Sequence, residues 1–161
     1  MKDTTLCIIF DKNKERVLFG MKKRGFGEGK INGFGGKVSD EDESIYHAAA
    51  REVLEECNLK VNPDFLIKVG EIDFYFPYKE EWNQKMHTFF AYDYEGEPKE
   101  SDEMSVVWYR IKDIPFEKMW DTDQSWMPYI LNDKKIKAEF YLKEDNNTTD
   151  TFKINEIEDF D

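Results

Sequence analysis

Glu52, Glu55 and Glu56 stand at i, i+3 and i+4, a spacing that on a helix stacks three carboxylates along one face. Like charges so placed repel, by roughly 0.2–0.5 kcal/mol per pair on an isolated helix. A hard divalent cation among them would turn that repulsion into a binding site. Magnesium, which takes oxygen ligands and is commonly shared between carboxylates and substrate phosphates, is the natural candidate. A solvated acidic helix face is the ordinary alternative. The flanking sequence decides between the two.

Ser44 is the best N-cap for the helix that carries these acids, which should run over 45–57 with Ala48, Ala49, Val53 and Leu54 on its buried face. Ahead of it, 6–10 reads as a strand, 11–14 as a turn and 16–21 as the hairpin partner. Residues 22–32 form a loop rich in Gly and Phe, and 33–38 a short strand passing into the loop before the helix. Beyond the helix, 65–78 reads as a long strand region, with Ile72, Phe74 and Phe76 on one side and Asp73 and Tyr75 on the other. A charged turn over 79–83 leads to strands at 86–94 and 106–110. Pro115 introduces a second helix whose main body covers 126–132, and 140–143 with 151–157 make a final hairpin around Asp145-Asn146-Asn147. No repeat, linker or low-complexity tract interrupts the chain.

Gly36, Glu43, Arg51, Glu52, Val53, Glu55, Glu56 and Leu59 together resemble the Nudix box, in which a glycine, a spacer and a glutamate precede an R-E-hydrophobic-x-E-E-x-G-hydrophobic run. The chain departs from it twice. The spacer between Gly36 and Glu43 is six residues rather than five, so the loop carries one insertion or Asp42 stands in for the glutamate. Asn58 replaces the usual glycine, a mild change where a helix ends in a left-handed residue. The resemblance continues through Gly20-Met21-Lys22-Lys23-Arg24-Gly25-Phe26-Gly27, Asn32-Gly33-Phe34-Gly35-Gly36-Lys37-Val38, Glu100-Ser101-Asp102-Glu103-Met104 and Ile114-Pro115-Phe116 with Met119-Trp120. These segments look like the animal-type MutT homologues of that superfamily, the oxidised purine nucleoside triphosphatases or 8-oxo-dGTP diphosphatases, over nearly the whole chain. The resemblance implies an α+β protein with the Nudix fold, an αβα sandwich around a mixed central β-sheet, as one domain over 1–161. It implies hydrolysis of a nucleoside triphosphate such as 8-oxo-dGTP to the monophosphate and pyrophosphate.

The same resemblance assigns roles. Glu52, Glu55 and Glu56 would hold Mg²⁺, with Mn²⁺ as a substitute, and neutralise the phosphate oxygens. The Gly35 carbonyl would add a ligand, and Glu103, on the loop before a strand, would approach from the opposite side. Either Glu103 or Glu56 is the general base. Arg51, adjacent to Glu52 but on another face, is read as a structural partner for Glu43. Asn32 can present donor and acceptor together to a purine edge. Phe26, Phe74, Phe76, Met104, Trp120 and Trp126 would form the apolar walls, one tryptophan stacking on the base, with Lys22 at the mouth. Taken singly each aromatic is more often a core residue; their joint match carries the functional reading.

The chain also differs from that branch where the base is read. Two adjacent acids are expected after the tryptophan-containing turn, and Thr122 and Asp123 stand there. A threonine hydroxyl donates or accepts one hydrogen bond but cannot exchange a proton to suit two bases. Cys7 falls where a hydroxyl residue is expected, and Gln84 near a methionine position. Oxidised guanine nucleotides therefore remain the expected substrates, through Asp123, with altered tolerance for 2-hydroxy-dATP.

Composition bounds the alternatives. The 161 residues, 40% hydrophobic, suit one core, and 16% aromatic content leaves rings for a stacking pocket. A net charge of −12 with no basic stripe argues against a nucleic-acid polymer as partner. It also means that a polyphosphate approaches a repelling surface, so a metal together with Lys22, Lys23 and Arg24 must offset that field. Cys7 and Cys57 lie in hydrophobic elements without metal-ligand spacing, and buried free thiols suit a reducing compartment. No run reaches the roughly 18 apolar residues of a membrane span. A monomeric cytoplasmic protein is expected, with mitochondrial or nuclear pools left open.

Several other signals fail. The segment 24–31 lacks P-loop spacing, and 121–132 has Trp126 and Asn132 where an EF-hand needs glycine and glutamate. The glycosylation pattern at Asn146-Asn147-Thr148-Thr149 is idle inside a cell, and His47 and His87 are read as structural. Two further functions keep the same sequence features: a Nudix diphosphatase for an ordinary dNTP or another nucleoside diphosphate derivative, which Thr122 leaves open, and a non-catalytic nucleotide-binding module, which the intact Arg51, Glu52, Glu55 and Glu56 oppose.

Overall fold

Alternation along the strands places two helices on opposite faces of one sheet. In strand β1 (Lys2–Phe10), Ile8 and Phe10 enter one apolar cluster while Cys7 and Ile9 enter another. The first cluster packs Phe19, Ile72, Ile136 and Phe140 against Trp126, Met127 and Ile130 of helix α2 (Asp123–Leu131). The second packs Leu18, Phe34 and Phe89 against Ala49, Val53 and Cys57 of helix α1 (Ile45–Cys57). The computed structural model describes residues 1–160. Its sheet comprises β1, β2 (Arg16–Lys22), β3 (Ile31–Asn32), β4 (Ile67–Tyr75), β5 (Gln84–Ala91), β6 (Met104–Arg110), β7 (Lys135–Leu142) and β8 (Thr149–Ile157). The order is β3-β2-β1-β5-β4-β7-β8, with β6 also paired to β2. The β1–β5 and β4–β7 pairs are parallel and the others antiparallel, so the sheet is mixed and the architecture α+β, as expected.

Helix α1 has the bounds read from the sequence. The Ser44 hydroxyl accepts a bond from the His47 N–H at 3.2 Å, and Asn58 closes the helix at φ 67°, its N–H on the Leu54 carbonyl at 3.0 Å. Its buried residues are Ala48, Ala49, Val53, Glu56 and Cys57, and Leu54 is 51% exposed rather than buried. Helical periodicity gives the reason: Glu56 falls on the same stripe as Val53 and Cys57, whereas Leu54 is turned a further 100° away. The most buried acid of the cluster is therefore pressed inward by the core around it.

Other boundaries move. β1 begins four residues before the expected strand, because its polar start, Lys2 to Thr5, pairs with Gln84 to His87 of β5 and carries no hydrophobic signature. The expected short strand at 33–38 is a pair of bridges, Cys7 to Phe34 and Thr4 to Lys37. α2 starts at Asp123 rather than 126, since the Asp123 carboxylate accepts the Trp120 N–H at 3.1 Å and closes the preceding turn. β7 starts at Lys135, five residues early, with Ile136, Ala138, Phe140 and Leu142 alternating into the core.

Candidate active site

The acids at 52, 55 and 56 differ in surroundings despite their shared helix. The Glu56 carboxylate accepts the Gly35 N–H at 2.8 Å. Burial pushes its carboxyl up to about 7, and the charges of Glu52 and Glu103 push the same way against the Gly35 N–H and Lys22. Glu52 is also raised by burial, against the pull of the Arg51 guanidinium 2.9 Å away. The Glu55 side chain is 58% exposed. Glu103, just before β6, faces the three across a cleft of about 290 Å³ that Arg24, Ser101 and Asp102 also line. Lys23 fixes that opposite bank, its N–H bonded to the Glu103 carbonyl at 2.8 Å and its ammonium to Glu100 at 3.0 Å.

This donor set suits a hard divalent cation: four carboxylates from two banks, two of them raised by burial, with Glu56 bonded to a backbone N–H and not to a cationic side chain. Among the described residues no three His, Cys, Asp or Glu side chains already converge on one metal-sized point. Glu52 is turned toward Arg51 and Glu56 toward Gly35, and each keeps a second carboxylate oxygen outside those bonds.

Arg51 is placed differently from the sequence reading. Its Nε and Nη2 each bond Asp42 at 2.9 Å as a two-pronged pair, and Nη1 reaches Glu52. Glu43 instead meets His47 at 3.2 Å and is 81% exposed. Of the two arrangements the longer loop allowed, Asp42 standing in for Glu43 is the one present, the acid that faces Arg51 being shifted by one position. The guanidinium also shares a face with Glu52 rather than pointing away from it.

Glycines let the loop approach the helix. A methyl group at Gly36 would lie 2.6 Å from the Glu52 carboxylate, and one at Gly35 would collide with the Thr5 carbonyl. Gly35→Ala should therefore destabilise the fold by about 2–3 kcal/mol, read as a lower urea midpoint; an unchanged midpoint would show that the loop can shift without loss.

A second cleft, of about 550 Å³, runs from Glu56, Gly35 and Gly36 to the turn before α2. Lys22, Phe26, Asn32, Phe74, Phe76, Met104, Trp120, Thr122 and Asp123 all line it, as the sequence suggested. Two expected residues do not. Trp126 is fully buried behind the wall, its indole N–H bonded to Asp123 at 3.2 Å. Cys7 is fully buried on the α1 side of the sheet, because its parity on β1 is opposite to that of Leu6, which lines the cleft. The hydroxyl on this strand comes from Thr4, which donates to the Gln84 side-chain oxygen at 3.0 Å.

Asp123 is 5% exposed, with one oxygen on the Trp120 N–H and the other on the Trp126 indole. Burial pushes its carboxyl up to about 7, opposed by those two donors and by Lys30. Near neutrality it can accept a hydrogen bond from a ligand or donate one, while Thr122 beside it offers a hydroxyl.

The structure adds Trp82, Gln84, Met86, Asn146 and Asn147 to the lining. The signal for Trp82 was a lone indole in an otherwise charged turn. Asn146 and Asn147 arrive from the β7–β8 hairpin, which is fastened to the Thr122 turn by the Thr149 N–H on Asp121 at 2.9 Å; nothing local in the sequence announces that long-range tie.

Comparison with known proteins gives one consistent result. The NUDIX domain model matches residues 1–130. The oxidized purine nucleoside triphosphate hydrolase of Danio rerio is 48% identical over 154 residues, 96% of each chain, and that of Mus musculus 44% over 146 residues, 91% of this chain and 90% of the other. Among solved structures, a MutT protein from Bacillus halodurans superposes with a TM-score of 0.80 at 24% identity, covering 96% of this chain and 98% of that one. The NUDIX domain of Shewanella oneidensis NrtR, solved with ADP ribose, gives 0.57 at 14% identity over 70% of this chain and 74% of that one.

Proposed function

The chain belongs to the NUDIX family and is a Nudix hydrolase, and on that premise we propose that it cleaves oxidised purine nucleoside triphosphates, 8-oxo-dGTP first among them, to the nucleoside monophosphate and pyrophosphate. The observation that carries this reading is that one cleft is lined both by Glu56 of the acidic helix and by Thr122, Asp123 and Asn32. The relatives' names point the same way.

Glu52, Glu55, Glu56 and Glu103 would hold Mg²⁺, or Mn²⁺ in its place, and the Gly35 carbonyl would add a ligand. An ion held there would supply charge neutralisation at the phosphate oxygens and a lower pKa for nearby water. Arg51 positions Glu52 through the bond at 2.9 Å and keeps Asp42 and the loop in place. Water forms a new P–O bond as the bond to the departing pyrophosphate breaks. Glu56, which lines both clefts, or Glu103 across the smaller one, takes the proton that the water gives up. Arg24 and Lys22 add positive charge on the phosphate path. At the other end Asp123 and Asn32 orient the base, with Phe74, Phe76, Met104 and Trp120 as its apolar walls.

Residues 1–161 act as one domain and, with the cleft complete within a single chain, as a monomer on the cytoplasmic nucleotide pool, where Cys7 and Cys57 stay as free thiols. No helix among the described residues is long and apolar enough to cross a membrane.

Pyrophosphate release from 8-oxo-dGTP, 2-hydroxy-dATP and dGTP, with and without Mg²⁺, tests the proposal. We expect Mg²⁺-dependent release with kcat/KM for 8-oxo-dGTP at least about tenfold above dGTP. A preference for dGTP would remove the sanitising role.

A further inference from the structure

Four aromatic rings from separate segments close an arc at the outer end of the larger cleft. Phe26, on the glycine-rich loop after β2, stacks on Trp120 with centroids 5.2 Å apart and meets the edge of Trp82 at 4.8 Å. Trp82 in turn meets Phe76 at 5.8 Å. All four line the cleft.

The two loops that supply Phe26 and Trp82 differ in how they are held. Gly25, Gly27 and Gly29 all take positive φ, and the backbone bonds of 25–30 stay within that loop and its own stem. Phe26 is 62% exposed, so its ring contacts are what dock it. Trp82 is firmly seated. Its N–H bonds the Lys79 carbonyl at 2.9 Å, and the neighbouring Asn83 carboxamide accepts the Phe76 N–H at 2.7 Å. The Lys79 ammonium sits over its indole at 4.0 Å. A well-bonded turn therefore carries the ring on which the exposed ring of the glycine-rich loop leans.

We propose that Trp82 is a specificity-determining residue: its indole is the outer wall of the base slot and the support that keeps Phe26 closed against Trp120. Two fused rings offer that wall more stacking area than one. The arc thus favours purines by stacking area, independently of the hydrogen bonds that read the oxidised edge. The inference rests on the reading of the cleft as a purine nucleotide site.

The test compares wild type, Trp82→Ala and Trp82→Phe. For Trp82→Ala we expect KM for 8-oxo-dGTP and the dissociation constant of 8-oxo-dGMP each to rise about tenfold. The value of kcat should move little, and inhibition by inorganic triphosphate, which has no base, should be unchanged. Trp82→Phe should recover most of the loss. Phe26→Ala should add little to Trp82→Ala, because the first ring leans on the second. Constants within twofold of wild type in Trp82→Ala would overturn the proposal. So would a loss of triphosphate inhibition in step with the base-bearing ligands, which would mark a general collapse of the cleft. A wild type that fails to hydrolyse 8-oxo-dGTP would instead remove the proposed function, and the 8-oxo-dGMP affinities would still decide the role of Trp82.

Discussion

Glu56→Gln should lower kcat for 8-oxo-dGTP by about a thousandfold or more, while the protein stays folded. The side chain has two tasks that need a carboxylate, holding a cation and taking a proton, and an amide does neither. It can still accept the Gly35 N–H, the one bond that ties Glu56 to the loop, so the fold keeps its contact. Removing the acid also removes a cost. A carboxyl raised from 4.5 to about 7 contributes stability that is present below the lower value and lost as pH rises through the upper one. Without metal at pH 8, therefore, the glutamine variant should melt no lower than wild type. With Mg²⁺ the order reverses, because the ion stabilises the folded wild type by mass action and the variant far less. In wild type the ion displaces a proton from Glu56, so Mg²⁺ should bind more weakly as pH falls below about 7, approaching tenfold per pH unit. Thermal melts with and without Mg²⁺ at pH 6 and pH 8 measure all of this. An equal Mg²⁺ shift in wild type and variant would place the metal elsewhere.

The acidic helix was legible because its signals are local. Ser44 as N-cap, Asn58 as C-cap and the spacing of three glutamates lie within fifteen residues, and α1 has the bounds they imply. The resemblance to the Nudix box likewise implied a sheet covered on both faces, and apolar clusters do flank it on each side. What escaped depends on contacts between distant segments. Parity decides which way Cys7 points, and it is fixed by pairing with Phe89 of β5 and a bridge to Phe34; a likeness of residue type along one strand does not reveal it. The sequence left the acid facing Arg51 open between Glu43 and Asp42, and how a loop one residue longer than usual folds back decides for Asp42. The start of β1 was hidden because Lys2 to Thr5 are polar and join the sheet through β5. Trp82 and the Asn146-Asn147 turn reach the cleft only through tertiary placement, although the residues they join there were already suspected.

Replacing Asp123 by Asn should reduce kcat/KM for 8-oxo-dGTP by about a hundredfold or more, because a site built around a buried hydrogen-bonding group discriminates steeply once that group is changed. Both oxygens of Asp123 accept N–H bonds, from Trp120 at 3.1 Å and Trp126 at 3.2 Å. An asparagine would turn its NH₂ toward one of those donors, losing a bond worth about 1 kcal/mol and tilting the face offered to the base. Stability should cross over with pH, and the sign follows from the raised carboxyl. Asp123 is neutral when folded below about 7 but ionises near 3.8 when unfolded, so its stabilising contribution is complete in acid and disappears as pH rises through 7. At pH 3, below both values, the variant should be the less stable by the lost bond. At pH 8.5 it escapes the cost of a buried carboxylate, at most about 4 kcal/mol for that difference in pKa, and should be the more stable. Urea midpoints at the two pH values measure the crossing, and a pH-independent difference would show that the carboxyl is not held neutral by burial. Thr122→Asp completes the comparison. A second acid beside Asp123 lets the pair share one proton in either arrangement, and 2-hydroxy-dATP should then gain on 8-oxo-dGTP by about tenfold in relative kcat/KM. If the ratio stayed that of wild type, the choice between oxidised guanine and oxidised adenine would lie outside residue 122.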